Sequence, residues 1–421
     1  MRGKRRVKAK VKAFIFIFVL LALIVLGISY IPKHFDVKKS PVINNKDKEE
    51  KKEEEPKIKV SKVSVIATGD ALIHGGVYKD AYDSSTKEYD FSKQLELIAP
   101  IVKQYDIAYY NQETVFGGAD LGYSNYPRFN TPSHLGIDMQ EAGFNMVSMA
   151  TNHSMDKGEK GALNHINFWK EQKDVLTAGM YLSEEDRNEE RIFEKNGITY
   201  TLLSYTYGTN GLRVPKGKEY LVNVWDVFDR DNFEEYKKTI KADIDRVRDK
   251  VDVLFVAMHW GVEYTHKPNS WQKEMAKFLA ENGVDVIIGC HPHVIQPFAK
   301  IDNTLVIYSL GNMISAQNGE MKLVGMLASF DITKTEEDGN TTITIDNVGA
   351  DLTWTYYSGY RNFKVVPFSV MQDKYLKNSK SVYEKYKKVI EKPAMFDDSY
   401  EDFEINVKGY KSGLEENKNT Q

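Results

Sequence analysis

The chain has 421 residues, of which 42% are hydrophobic and 12% aromatic, so it can form one large or two medium domains with a sizeable core. Its formal net charge of -3 argues against nucleic-acid binding through a large positive field. Cys290 is the single cysteine, so no intramolecular disulfide can form, and the cysteine count does not indicate a compartment.

The first sixty residues differ in composition from the rest. Residues 1–12 form a tail rich in Lys and Arg, and residues 13–31 carry no charge. That uncharged run would span about 28 Å at about 1.5 Å per residue, close to the thickness of one bilayer core. The positive-inside rule therefore predicts a single-pass signal anchor at the cell membrane, with residues 1–12 in the cytoplasm and everything after Ile31 outside.

Two alternatives apply to this region. A cleaved signal peptide is one, although the apolar run is long and no convincing small-residue cleavage site follows it. Residues 32–60 are rich in Lys and Glu and are expected to be a solvated linker, with a charged helical spacer as the alternative.

From Val63 onward, short apolar runs alternate with amphipathic stretches, which is typical of an α/β fold. The predicted strands are Val63–Thr68, Ile107–Tyr110, Met146–Ala150, Thr199–Ser204, Val253–Met258, Val284–Gly289 and Leu305–Ser309, followed by Val324–Ile332, Thr341–Ile345 and Leu352–Tyr357. The predicted helices are Phe91–Ile98, Gly161–Gln172, Asn232–Arg248, Trp271–Glu281 and Val370–Ile390. We expect residues 61–330 to form the main domain and residues 331–421 to be an extension that completes it and ends in a frayed tail.

Polar residues of a few types directly follow six of the predicted strands. The six runs are GDALIH (69–74), NQET (111–114), TNHSMD (151–156), HWGVE (259–263), HPH (291–293) and GN (311–312). Ligands of open α/β sheets bind beyond the carboxyl ends of the strands, so these side chains are expected to lie close together.

Carboxylate, amide oxygen and imidazole together suit a divalent transition metal such as Mn, Fe or Zn rather than Ca. The predicted metal ligands are more than one ion requires, so two divalent ions sharing a carboxylate are plausible; they are Asp70, His74, Glu113, Asn152, His259, His291 and His293. The pair His291 and His293 is the strongest single element, because residues two apart in an extended segment point the same way.

Each of these residues also has a simpler interpretation. Asp70 follows a glycine and is consistent with a turn or a helix cap, and Glu113 with an ordinary solvated strand-end residue. His259 beside Trp260 is equally consistent with a satisfied core histidine. The metal hypothesis therefore depends on the ordered recurrence of the pattern rather than on any one motif.

Three further residues are candidates for catalysis. His153 is suited to act as a general acid or to contact an oxyanion, and Asp156 is placed to orient it. Asp156 is alternatively a cap for the helix at Gly161. Glu263 either acts near the metals or caps a turn.

The ordered segments GD-x-x-x-H, N-x-E, ATNH-x-x-D-x-G, HWG-x-E, G-x-HPHV-x-QP and SLGN lie between Val63 and Gly325. In this order they resemble the CapA (PgsA) family of poly-γ-glutamate capsule proteins. The resemblance implies a calcineurin-like metallophosphatase fold, in which β-sheets flanked by helices form a sandwich. It also implies one ion held by Asp70, His74, Glu113 and His293 and another by Glu113, Asn152, His259 and His291, with Glu113 bridging and His153 as the catalytic histidine.

The resemblance implies a membrane-anchored, extracytoplasmic protein for synthesis, export or surface assembly of poly-γ-glutamate or a similar anionic polymer. Its implied partners are the ligase subunit and the small integral-membrane subunit of a capsule synthase, and no nucleic acid. Two alternatives stay open: a free-standing extracytoplasmic metallophosphoesterase, and a non-catalytic scaffold that keeps the fold.

Overall fold

A computed structural model of the protein describes residues 58–226, 229–391 and 405–407. The predicted basic tail (1–12), anchor (13–31), nearly all of the predicted linker (32–60) and the polar end (413–421) lie outside the described residues. Among the helices that are described, none is both long and apolar enough to cross a bilayer.

The strands, in chain order, are β1 (Lys59–Leu72), β2 (Tyr82–Asp83), β3 (Glu88–Tyr89), β4 (Ile107–Asn111), β5 (Met146–Ser148), β6 (Leu176–Ala178), β7 (Phe193–Lys195), β8 (Ile198–Thr206), β9 (Val253–His259), β10 (Val286–Cys290), β11 (Ile295–Ile301), β12 (Thr304–Leu310), β13 (Asn312–Ser315), β14 (Val324–Glu337), β15 (Asn340–Ser358), β16 (Arg361–Pro367) and β17 (Asn406–Val407). The helices are α1 (Gly75–Asp80), α2 (Ser92–Leu95), α3 (Ala99–Val102), α4 (His134–Glu141), α5 (Gly158–Lys170), α6 (Glu184–Asn188), α7 (Phe233–Val247), α8 (Ser270–Glu281), α9 (Glu320–Leu323) and α10 (Ser379–Glu391).

Two mixed sheets form the centre of the fold. The first has the order β16-β15-β14-β1-β4-β5-β6, with β13 beside β1 and β17 beside β15. The second has the order β11-β12-β10-β9-β8-β7. β1, β4, β5 and β6 run parallel in the first sheet, and β8, β9, β10 and β12 run parallel in the second, so each sheet presents several carboxyl ends at one edge.

The core is layered because alternate residues of each strand face opposite sides of a sheet. One apolar cluster lies between the sheets and contains Val65 of β1 and Phe255 of β9. A second cluster joins the outer face of the first sheet to α4 and α5, and a third joins the outer face of the second sheet to α7 and α8. The predicted α/β class is therefore confirmed, with helices on both outer faces of a two-sheet sandwich.

Several predicted boundaries were wrong. The segment Phe91–Ile98, predicted as one helix, contains only the single turn α2, and a further turn, α3, follows it. Thr341–Ile345 and Leu352–Tyr357 are parts of the single strand β15, and the last long helix begins at Ser379 rather than Val370. The strands β6, β7, β11, β13 and β16 were not predicted. Three of them, β6, β7 and β13, have only three or four residues, which are too few to display a period, whereas β11 and β16 have seven residues each.

His165 on α5 is a structural histidine buried under the first sheet. Its Nδ1 accepts a hydrogen bond from the backbone N–H of Phe116 at 3.0 Å, and its ring packs against Phe116 and Trp169. Burial lowers the pKa of His165 from 6.5 to about 3, so the folded protein keeps the ring neutral.

We expect this histidine to make the fold sensitive to acid. The unfolded chain takes up a proton on His165 below pH 6.5, whereas the folded chain does so only near pH 3. The stability contributed by neutral His165 is therefore complete above pH 6.5 and is lost by about 1.4 kcal/mol per pH unit as the pH falls toward 3. Urea unfolding at several pH values between 4.5 and 7.5 gives the free energy of unfolding at each pH. Below pH 6.5, the slope of this free energy against pH should be smaller by about this amount for His165→Asn, which keeps an acceptor near the position of Nδ1. Equal slopes in the two proteins would contradict the prediction.

Candidate metal centre

The two sheets meet where β12 of the second sheet passes into β13 of the first. The backbone N–H of Asp70, near the end of β1, donates to the carbonyl of Gly311 at 2.9 Å. A Cβ on Gly69 would lie 1.8 Å from the same carbonyl oxygen, so only glycine permits this approach. The carboxyl ends of strands from both sheets are consequently held against one another.

Glu113, just after β4, lies at the centre of this junction. It is 1% exposed, and neither carboxylate oxygen has a hydrogen-bond partner among the described residues. Its Oε1 lies 3.7 Å from Nε2 of His259 and 3.6 Å from Nε2 of His293. A buried carboxylate without donors is costly, so this arrangement indicates a site for a cation.

The potential ligand atoms form overlapping groups, and within each group they lie within 4.8 Å of one another. Glu113 belongs to two of these groups. The three groups are Glu113, His259 and His291; Asp70, Glu113 and His293; and Glu263, His291 and His293.

Asp70 is held by a buried chain of polar side chains. Its Oδ1 accepts a hydrogen bond from Nδ2 of Asn111 at 2.8 Å, and Oδ1 of Asn111 accepts from the hydroxyl of Ser148 at 2.6 Å. The Tyr109 hydroxyl lies 2.6 Å from the same Ser148 oxygen. Asn111 lies in the strand-end run NQET (111–114). Its support of Asp70 and the roles of Ser148 and Tyr109 depend on pairing across the sheet, which the sequence pattern did not reveal.

The two histidines after β10 adopt a conformation different from the predicted one. His291 has φ 97° and His293 φ 57°, so the segment is not extended and the argument from residues two apart was wrong. Their rings nevertheless converge, with centroids 5.8 Å apart. Nδ1 of His291 has no hydrogen-bond partner in the described chain, so this nitrogen is available to an ion.

Asn312, the first residue of β13, orients His293. Its Oδ1 lies 3.0 Å from Nδ1 of His293, and Oδ2 of Asp70 lies 3.3 Å from the same nitrogen. A proton on Nδ1 satisfies these acceptors and leaves the Nε2 lone pair directed at Glu113. Such an acceptor behind a metal-binding histidine fixes the tautomer that binds. Asn312 was noticed at a strand end but was not among the predicted site residues.

The remaining predicted residues lie around this group. Nε2 of His259 lies 2.9 Å from Oδ1 of Asn152, which brings Asn152 to the ligand group of Glu113. His74 and Glu263 line a cavity of about 340 Å³ together with His153 and His293. His74 is in none of the ligand groups, and its Nδ1 lies 3.1 Å from the carbonyl of Leu72.

His153 and Asp156 form a pair at the wall of this cavity. Nδ1 of His153 donates to Oδ2 of Asp156 at 2.8 Å, and the backbone N–H of Phe129 donates to the same oxygen at 2.6 Å. The Phe129 ring packs edge-on against His153 at 4.7 Å. These contacts fix the imidazole, and a proton on Nδ1 leaves Nε2 as its other functional atom.

The charges of the centre favour a bound cation. Burial raises the pKa of Glu113, and burial also lowers the pKa of His259 and of His291, so both rings stay neutral and able to bind metal. Burial alone would lower the pKa of His293, but Glu113 and Asp70 outweigh it and raise that pKa to about 9. Without metal the Glu113–His293 pair thus retains a proton, and a divalent ion would take the place of that proton. The donor set of nitrogen and carboxylate oxygen fits such an ion.

Residues 64–317 match the family model described as bacterial capsule synthesis protein PGA_cap. The chain is 27% identical over 275 residues to the PGA biosynthesis protein CapA of Bacillus subtilis (strain 168), covering 63% of this chain and 67% of that protein. It is 28% identical over 266 residues to the capsule biosynthesis protein CapA of Bacillus anthracis, covering 61% of this chain and 60% of that protein, less than two thirds of its length. The calcineurin-like phosphoesterase YfkN of Bacillus subtilis aligns with 78% of this chain and 100% of its own, with TM-score 0.38 and 16% identity.

Glu113→Gln should separate the stability of the metal-free protein from its response to metal. In the presence of a chelator at pH 7.5, we expect the free energy of unfolding of the variant to differ from that of the wild type by no more than about 1 kcal/mol, because the buried carboxylate and the proton that it shares with His293 are lost together. Added Mn²⁺ should raise the Tm of the wild type and leave that of Glu113→Gln nearly unchanged. Exposed Glu171 provides the control, and Glu171→Gln should behave as wild type. A full Mn²⁺ response in Glu113→Gln would contradict the central role of this carboxylate.

Asn312→Ala should weaken metal binding without removing a ligand. Loss of the acceptor frees His293 to adopt the tautomer that cannot bind through Nε2, so we expect affinity for Mn²⁺ or Zn²⁺ to fall about 10- to 100-fold by calorimetry. Asn303→Ala, at an exposed asparagine after β11, is the matched control. Affinities equal to wild type in both variants would show that Asn312 does not orient the histidine.

Proposed function

The chain belongs to the PGA_cap family of bacterial capsule synthesis proteins, and from this membership we propose that it acts in synthesis, export or assembly of poly-γ-glutamate or a similar polymer, through a dinuclear metal site. The observation that carries the metal part of the proposal is the buried Glu113 carboxylate, which has no described donor and is shared by two ligand groups. A carboxylate placed in this way is suited to bridge two ions.

In this proposal Asp70, Glu113 and His293 hold one ion, and Glu113, Asn152, His259 and His291 hold the other. Mn, Fe or Zn suits these donors. When bound, the ions would supply Lewis-acid activation of water and of the bond to be cleaved. Asp70 and His293 are kept in place by Asn111 and Asn312, so the ligand positions are set before any ion or substrate arrives.

His153 is the proposed general acid. Asp156 accepts a hydrogen bond from Nδ1–H of His153, which leaves Nε2 free to act in the cavity that His153 lines together with His293. From there His153 would hold a proton for the leaving group or contact an anionic oxygen of the substrate. The His153–Asp156 pair is equally compatible with the second candidate function, a free-standing metallophosphoesterase of the calcineurin-like type. It argues against the third candidate, a scaffold without activity, which has no need of an oriented acid.

The proposal includes a location and partners. The uncharged run 13–31 after a basic tail supports a single-pass anchor in the cell membrane, which would hold residues 58–391 on the outer side. Two relatives carry capsule or PGA biosynthesis in their names, which supports a capsule synthase as partner. Its ligase and small integral-membrane subunits are the components we propose this protein to work with.

Complementation of a deletion strain tests the proposal. We expect the wild-type gene to restore surface polymer and His291→Ala to restore little or none, because the second ion loses a ligand. His134→Ala, at an exposed histidine away from the ligand groups, is the control and should restore polymer fully. Surface polymer and the level of each protein in the membrane are both measured.

Rescue by His291→Ala at normal protein levels would contradict a role for the metal site in polymer output. A deletion strain with unchanged polymer would instead favour the free-standing phosphoesterase.

A further inference from the structure

A second, larger cavity lies beside the metal centre. It has a volume of about 690 Å³, within the range of small-molecule sites, and α1 and the β15–β16 turn form much of its wall. Its lining includes His74, Lys79, Asp80, Asn125, Tyr360 and Arg361. The carboxylate–histidine groups of the metal centre do not reach into it, so its chemistry is separate from theirs.

The lining of this second cavity carries positive charge without matching partners. Neither Lys79 nor Arg361 forms an ion pair within the described parts of the chain. Asp80 is the one carboxylate among the lining residues, and its oxygens accept the backbone N–H groups of Asn362 at 2.7 Å and Phe363 at 2.8 Å. The lining thus contains two cations and one carboxylate, and the carboxylate oxygens already accept hydrogen bonds from the backbone. The cavity therefore favours an anionic group.

The turn that carries Arg361 is held in place. Gly359 and Tyr360 both have φ 57°, as a two-residue hairpin turn requires, and Gly359 meets this at no steric cost. The Tyr360 ring stacks on Tyr357 at 5.4 Å, and its hydroxyl bonds to the side chain of Asn318. Asp80 accepts hydrogen bonds from the backbone N–H groups of Asn362 and Phe363 on the other side of Arg361. The backbone of Arg361 is therefore held on both sides.

The second cavity adjoins the cavity of about 340 Å³ that His153 and His293 line, here called the metal cavity. His74 and Ala316 line both of them, and Asn318, which bonds to Tyr360, lines the metal cavity. Burial lowers the pKa of His74 to about 4, so the shared wall is a neutral ring. Lys322 at the metal cavity lies over the Tyr264 ring at 4.7 Å. The two cavities thus adjoin at His74 and Ala316, and Asp80 and Glu263 are the only acidic side chains among their described lining residues.

We propose that Lys79 and Arg361 form a binding subsite for a carboxylate or phosphate group of the molecule whose reactive bond lies at the metal centre. The subsite rests on the proposed function, because it assumes an extended anionic substrate. The subsite would select substrates by their length and negative charge, whereas the metal centre would select them by the bond to be cleaved.

Binding to two short anionic probes tests the subsite. Fluorescein-labelled γ-linked hexaglutamate and labelled linear hexaphosphate distinguish the carboxylate from the phosphate source, and fluorescence anisotropy gives Kd for the full chain in detergent at low salt. We expect Lys79→Gln/Arg361→Gln to raise Kd at least about tenfold for one or both probes. Lys173→Gln/Lys195→Gln, which changes the same net charge at exposed lysines outside both cavities, should shift Kd less than about twofold.

A charge-preserving variant distinguishes the loss of positive charge from damage to the fold. Lys79→Arg/Arg361→Lys keeps the charge of the cavity, so Kd should stay within about threefold of wild type, and the Tm of every variant is measured alongside. The subsite is overturned if the neutral pair weakens both probes no more than the Lys173/Lys195 control does, or if the charge-preserving pair weakens them as much as the neutral pair. Failure of the capsule role is separate, since it appears in the deletion strain and not in these affinities.

Discussion

The buried Glu113 carboxylate is the constraint on which the rest of this site depends. Removing a carboxylate from water costs several kcal/mol unless charge and hydrogen bonds replace the solvent, and neither oxygen of Glu113 accepts a hydrogen bond from the described residues. What surrounds it instead is a set of imidazoles, whose nitrogens cannot all be protonated in so small a buried volume. Such a cluster is stable only with shared protons or with metal, and a divalent ion satisfies more of its atoms than a proton does.

The backbone follows from the same requirement. Ligands from two sheets can surround one carboxylate only if the sheets approach closely at their carboxyl ends, which the contact of Gly69 with Gly311 allows. Positive φ at His291 and His293 turns both rings back toward Glu113 directly after a buried strand. Strain of this kind costs on the order of 1–3 kcal/mol per residue and persists where the surrounding structure enforces it. The apolar layers between and outside the sheets provide that enforcement.

Much of this arrangement was predictable because parallel strands place their carboxyl ends at one edge, so residues after six apolar runs had to be neighbours. The α/β class followed from the same alternation. What the pattern could not reveal depends on contacts between distant segments: the support of Asp70 by Asn111 and Ser148, and of His293 by Asn312. Short strands such as β6 escaped because three residues have no measurable period, and the turn at His291 was misread because periodicity assumes regular backbone.

His74 lies between the metal centre and the second cavity. It follows a strand as the ligands do, yet its Nδ1 is engaged with the carbonyl of Leu72 and its ring forms part of the wall shared by two cavities. A neutral, fixed ring at this point lies between the charged groups of the metal centre and the cations Lys79 and Arg361, which form no ion pair within the described residues, and it adds charge to neither side. Were that wall a carboxylate, it would neutralise the cations beside it. In the proposed function, a neutral wall would let one region perform chemistry that depends on metal charge while its neighbour keeps its attraction for an anionic group.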